Sequence, residues 1–264
     1  MGPTSEAGPS IDGRLASGGD RLVDRLVALP GSPAECPWAE ALWASADVTL
    51  AVGAVVLVAP PTWHTSLVAF VFLAAAWLLV WRHDDARVRR AGLTLGGLLL
   101  PGHLDVRRLV RDAIGAAGWA LGLSAAVAVP YLIGWRAWWQ PRFAFALSVT
   151  PGEIVDETLG QLLVIALPEE AFYRGYLQSR FDDAWPPRWR VLGARVGPGL
   201  LAAAAVFALG HVATVQLPTR LAVFFPALVF GWLRARTGGI GASVAFHAFC
   251  NLYSQLLGRG YGVY

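Results

Sequence analysis

Lysine is absent from this chain of 264 residues: all 21 basic residues are arginine. The excess of alanine, glycine and arginine suggests GC-rich coding more than a chemical need. The formal charge is only +3. The arginines are scattered at the ends of apolar runs and form no single strip, so a nucleic-acid-binding surface is excluded. Two cysteines, Cys36 and Cys250, are too few for a disulfide framework, and there is no CxxC pair. Cys250 lies in an apolar run and reads as a small buried residue. No HExxH metal-binding helix occurs, and no internal repeat is evident. The first residues lack a basic start followed by an apolar core, so no cleavable signal peptide is expected. Charge itself is scarce. Charged residues make up 15% of the chain against about 25% in a typical soluble domain.

What is abundant is apolar sequence, at 56% of residues and a mean hydropathy of +0.51. Several runs approach the roughly 20 residues needed to cross a bilayer. The expected fold is all-α, a polytopic transmembrane bundle. Apolar run length and breaker residues give seven spans, at 40–59, 63–81, 112–134, 154–175, 198–216, 218–233 and 239–257. The Pro60–Pro61 pair divides the first two. The segment Ala91 to Pro101 is apolar but too short to span; read as re-entrant or interfacial, it leaves the count open to eight. Residues 1–35, rich in Gly, Pro and Ser, are expected to be a flexible cytoplasmic tail. Within them, an amphipathic piece from Arg21 to Leu29 suits the membrane surface. Residues 36–150 then form N-terminal transmembrane helices, and 151–264 a second unit that carries the chemistry.

Arginine placement gives an orientation. With the N-terminus inside, the cytoplasmic segments hold Arg14, Arg21 and Arg25, then Arg82, Arg87, Arg89, Arg90, Arg107, Arg108 and Arg111. They also hold Arg180, Arg188, Arg190 and Arg195, and finally Arg234 and Arg236. Only Arg136, Arg142, Arg220 and Arg259 fall on the other side, with Arg174 apart at a span end. This bias predicts N-in and C-out. Trp63, Trp81, Trp135, Trp138, Trp139, Trp185, Trp189 and Trp232 sit at span ends, as interfacial belts do.

Ionisable residues inside spans cost about 2.5–3.5 kcal/mol each at a helix centre, so those kept there point to function. The fourth span reads LGQLLVIALPEEAFYRGYLQSRF. Pro168 lacks an N–H, frees a carbonyl one turn back and predicts a kink with room for water. Glu169 and Glu170 point about 100° apart, so they cannot share one task. Glu170 and Arg174 are i,i+4 neighbours able to pair. Glu169 faces elsewhere without a local partner, and an unpaired carboxylate in a low-dielectric site suits general-base work. The fifth span carries His211, with Phe207 one turn before it on the same face. The seventh carries His247 and Asn251, which project from one face at successive turns. Taken singly, each has a plain alternative. The glutamates could hydrate at the interface, and the histidines and asparagine could be interhelical hydrogen-bonding groups.

Together, EExxxR, FxxxH and HxxxN occur in this order on three spans. The arrangement resembles the CPBP family, the CAAX prenyl protease and bacteriocin-processing (Abi) proteins, to which the eukaryotic Ras-converting endopeptidase belongs. The matching residues are Glu169, Glu170 and Arg174, then Phe207 and His211, then His247 and Asn251. The likeness covers about 150–257; the first half matches only as generic spans. The segment PEEAFYRGYLQ and the Trp-rich, all-Arg composition look somewhat like the myxosortase branch, whose members are proposed to process C-terminal membrane tags.

The resemblance implies an intramembrane endopeptidase. Glu169, His211, His247 and Asn251 would be catalytic, and Glu170, Arg174 and Phe207 supporting. Glu169 would activate water, His211 hold it or relay its proton, and His247 and Asn251 donate to the oxyanion. No cofactor is favoured. Zinc on Glu169, His211 and His247 is the alternative, set back because Asn251 is a poor zinc ligand and a good oxyanion donor. The expected partners are the bilayer and a membrane protein or a lipidated or C-terminally tagged peptide. The expected location is a bacterial inner membrane. A proton-coupled transporter and a non-proteolytic scaffold or immunity protein are the rival functions.

Overall fold

A computed structural model describes residues 36–100 and 104–263. The expected tail, its amphipathic piece and its arginines lie outside the described residues, as does Pro101.

The chain is a helical, polytopic membrane protein. Among the described residues four helical segments are long and apolar enough to cross a bilayer: Pro37–Val58, Pro61–Trp81, Val106–Trp139 and Pro198–Val215. They match the first, second, third and fifth expected spans. Helix α1 is Pro37–Val58, with proline in its first turn, where the missing N–H costs nothing. Helix α2, His64–Ala76, runs on into a π turn at Trp77–Trp81. Helix α3 is the short Asp85–Arg90, capped by the Asp84 side chain on the Arg87 N–H. Helix α4 is Val106–Trp139. It starts six residues before the expected span, because Asp105 caps it at the Arg108 N–H and Arg-bearing turns extend the apolar rod into the polar zone.

The fourth expected span is part of a longer rod. Helix α5, Pro151–Leu159, opens with a capping box between Thr150 and Glu153. A π segment (Gly160–Ala166), the short α6 (Leu167–Glu170), a second π segment (Ala171–Leu177) and α7 (Gln178–Ala184) follow without a break. The expected distortion at Pro168 thus takes the form of wide turns on either side. Such turns recur at functional sites. A two-stranded antiparallel hairpin, β1 Trp189–Val191 and β2 Ala194–Val196, follows. The apolar-run reading did not foresee it. Its turn is at Leu192–Gly193, both at positive φ, and the Trp232 indole donates to the Val191 carbonyl at 2.8 Å.

Helix α8 is Pro198–Val215, α9 Phe224–Thr237 and α10 Gly241–Gly260. The sixth expected span begins late, because Pro218–Val223 forms a 3-10 turn first. The segment expected to be re-entrant or interfacial holds no long helix among its described residues. It is a turn-rich plug with a 3-10 turn at Leu95–Gly97, and Ala91, Leu93 and Leu100 are buried in it. Gly92 allows the close approach: a Cβ there would meet the Gly238 carbonyl at 2.9 Å.

The 151–184 rod is central. It packs on α1, α2, α8 and α10, while α4 lies along α10. The core includes Phe172, Tyr173, Tyr176, Leu177 and Phe207, with Phe72 and Val80 from α2.

Candidate functional site

Glu169 and Glu170 leave the rod at adjacent positions and meet different neighbours. Glu170 and Arg174 are both fully buried, with Nε 3.2 Å from Oε2. The expected pair is therefore present, but in the protein interior and not at a hydrated helix end. The guanidinium makes no hydrogen bond. It lies over the Phe207 ring, 4.7 Å from its centroid, and 5.5 Å from that of Phe230. Cation–π contacts of this kind strengthen when desolvated. Phe207 thus supports Arg174 from below, and its ring also touches His211 at 4.4 Å.

The other oxygen of Glu170 reaches a residue that adjacency in sequence does not suggest. Oε1 accepts from His247 Nδ1 at 3.0 Å, and the His247 ring stacks on Phe230 at 4.7 Å. With Nδ1–H committed to the carboxylate, Nε2 is the nitrogen turned to reaction chemistry. It lies 3.9 Å from Glu169 Oε2. That oxygen is buried and makes no hydrogen bond.

His211 shows the same arrangement by other means. Its Nδ1 is 2.9 Å from the Phe207 carbonyl. A carbonyl only accepts, so Nδ1 is the protonated nitrogen and Nε2 keeps its lone pair. Asn251 donates through Nδ2 to Gln161 Oε1 at 2.9 Å. Gln161 is buried, one π segment before Glu169 in the rod. The sequence reading passed over Gln161. The available signal was a lone amide inside an apolar span, the same signal that singled out Asn251.

Glu169, His211, His247, Asn251 and Gln161 line one cavity of about 1680 Å³. Residues as far apart as 161 and 251 thus meet at one space. Its apolar walls include Phe207 and Phe230, and the end of α4 and residues 217–226 line it as well. Cys250 also lines it.

Zinc on Glu169, His211 and His247 is the alternative use of the same residues. Among the described residues no three of His, Cys, Asp and Glu are grouped to hold a metal ion. His247 and His211 engage Glu170 and the Phe207 carbonyl through Nδ1, and neither bond commits Nε2.

Residues 151–253 match the family described as type II CAAX prenyl endopeptidase Rce1-like. The match covers less than half of the chain and contains every site residue named above. No curated protein and no solved structure matches.

Proposed function

We propose that the chain is an intramembrane endopeptidase in which Glu169 activates the water that cleaves a membrane-associated polypeptide, a reading supported by the match of residues 151–253 to type II CAAX prenyl endopeptidases. The observation that carries this reading is the meeting of Glu169, His211, His247 and Asn251 at one cavity inside the matched segment.

The roles follow from which atoms are free. Glu169 Oε2, unsatisfied by the protein, accepts a hydrogen bond from water and takes its proton as the oxygen attacks the scissile carbonyl. His211 Nε2, a lone pair at the cavity wall, holds the same water in line. His247 Nε2, 3.9 Å from Glu169, passes the proton on to the leaving nitrogen. Asn251 spends one N–H on Gln161 and keeps the second for the oxyanion. A preorganised donor of that kind is typically worth about 3–4 kcal/mol. Glu170 and Arg174 hold His247 in register.

The arginine-rich end of the bundle is cytoplasmic in this reading, with seven crossings in a bacterial inner membrane. The substrate is a membrane protein or a lipidated or C-terminally tagged peptide, as in the myxosortase-like reading.

The test is Glu169→Gln, which removes one charge at nearly constant size. Purified variant and wild type would be compared on a cleavable membrane peptide, with and without a chelator. Loss of a general base costs about 10²–10⁴-fold. The variant should accumulate in the membrane yet lose turnover, and the chelator should leave wild-type turnover intact. Full turnover in Glu169→Gln would sink the mechanism and favour the scaffold or transporter.

A further inference from the structure

The cavity has a direction. Its exposed lining, the rim, is Trp138 at the end of α4, Thr219 and Arg220 in the 3-10 turn, and Phe225. The arginines Arg107, Arg108 and Arg111 stand at the opposite end of α4. That helix has 34 residues, about 50 Å at 1.5 Å per residue, against a hydrocarbon core of about 30 Å. The rim and the arginine cluster therefore lie on opposite sides of the bilayer. The other elements agree. Arg87, Arg180 and Arg234 meet around a separate small pocket at the arginine-rich end. Among the described residues, none of 81–111 or 178–198 lines the large cavity.

Positive charge gathers on the cytoplasmic side. From this we infer that the catalytic cavity opens to the non-cytoplasmic side, and that its substrates are membrane-anchored polypeptides already translocated, cut near the outer end of their anchor. The inference rests on the endopeptidase reading for what is cut, and on charge placement for the side.

The chemistry of the rim fits such a substrate. The exposed Trp138 indole at this boundary suits an apolar segment leaving the hydrocarbon zone. Among the described residues Arg220 is the rim's only cation, and it makes none of their ion pairs. A tail that obeys the same charge rule is poor in Lys and Arg on the outside, so Arg220 does not repel it. Arg220 can also grip a carboxylate on that tail.

Two measurements test this separately. In a chain with Cys36 and Cys250 changed to serine, Thr219→Cys marks the rim and Leu192→Cys marks the hairpin tip at the other end. An impermeant maleimide applied to intact spheroplasts should label Thr219→Cys and reach Leu192→Cys only after permeabilisation. The reverse pattern overturns the inference, whatever the enzyme cuts. The second measurement compares polypeptide termini of membrane proteins in cells making wild type or Glu169→Gln. New termini that need Glu169 and sit at the outer end of anchors support the substrate class. Such termini on the cytoplasmic side overturn it and leave the peptidase standing. If no terminus depends on Glu169, the peptidase reading falls and the substrate class with it; the labelling still decides the side of the opening.

Discussion

Glu169 and Glu170 show what adjacency on a helix can and cannot reveal. Their divergence and the pairing of Glu170 with Arg174 follow from 3.6-residue geometry. The contact of Glu170 with His247 does not, because it joins two helices 77 positions apart. The same holds for Asn251 on Gln161, 90 positions apart. The residue types of the site were legible as polar groups kept in apolar spans. Their pairing was not, since it depends on helix rotation that no local pattern encodes. The pairing changes an expectation. Glu170→Gln does more than loosen a helix end: it leaves Arg174 charged and buried, a break that typically costs about 3–5 kcal/mol. It also exchanges the acceptor on His247 Nδ1 for an amide. Glu170→Gln should therefore lower both thermal stability in detergent and the cleavage rate. Arg174→Ala should lower stability while leaving more of the rate, because His247 keeps its carboxylate. The double change should be less than additive; full additivity would mean the pair is no unit. Gln161→Leu should leave the fold intact and slow cleavage by about 10²-fold, the scale of a small misplacement of a catalytic group. Gln161→Glu, which keeps the acceptor, should recover much of that loss. Equal rates in the two variants would show that Gln161 does not position Asn251.

Among elements, long apolar helices were readable from run length and breakers. The exceptions have separate causes. The hairpin at 189–196 is only three residues a strand, shorter than any alternation can signal. The π turns around Pro168 depend on packing against α2 and α10. The 91–100 plug has the composition of a membrane segment but is buried by its fit against Gly175. A Cβ at Gly175 would meet Leu93 Cδ2 at 2.6 Å and Cγ at 2.8 Å, and Leu93 is wholly buried. Gly175→Ala should therefore cost about 1–3 kcal/mol, as overpacking does, seen as a lower Tm in detergent; Leu93→Ala in the same chain should restore part of it. The arginine-rich end of the rod adds a pH dependence. Burial raises the Asp182 carboxyl to about 6, opposed by Arg234 nearby. A folded-state value above the unfolded one means the charged form is the costly one. The cost is present above pH 6, is relieved as pH falls through 6, and stops changing below the unfolded value of 3.8. Wild type should gain stability relative to Asp182→Asn between pH 7 and pH 5. A constant difference over that range would refute the assignment.

For the whole molecule, the same kind of exposed leucine has two meanings, set by where the bilayer lies. Leu121, on α4, is 71% exposed, and Leu192, at the hairpin tip, is 82% exposed. Exposure alone cannot tell them apart. Leu121 stands near the middle of a helix of which only 6% of the apolar window is buried within the chain. Such a surface is what a bilayer would cover, and Leu50 on α1 and Phe70 on α2 are exposed in the same way. Leu192 follows a run with Arg188 and Arg190 and turns at the polar end of the bundle. An arginine at Leu121 meets hydrocarbon, at about 2.5–3.5 kcal/mol on insertion scales. The same change at Leu192 meets headgroups or water and costs almost nothing. Leu121→Arg should thus sharply lower the amount of chain recovered in the membrane fraction, and Leu192→Arg should leave it unchanged. Both variants carry the same side chain, so general effects of an added arginine cancel. Equal recovery would mean that α4 does not face lipid at Leu121. Its bare surface would then be covered by protein, and the bundle would be part of a larger assembly.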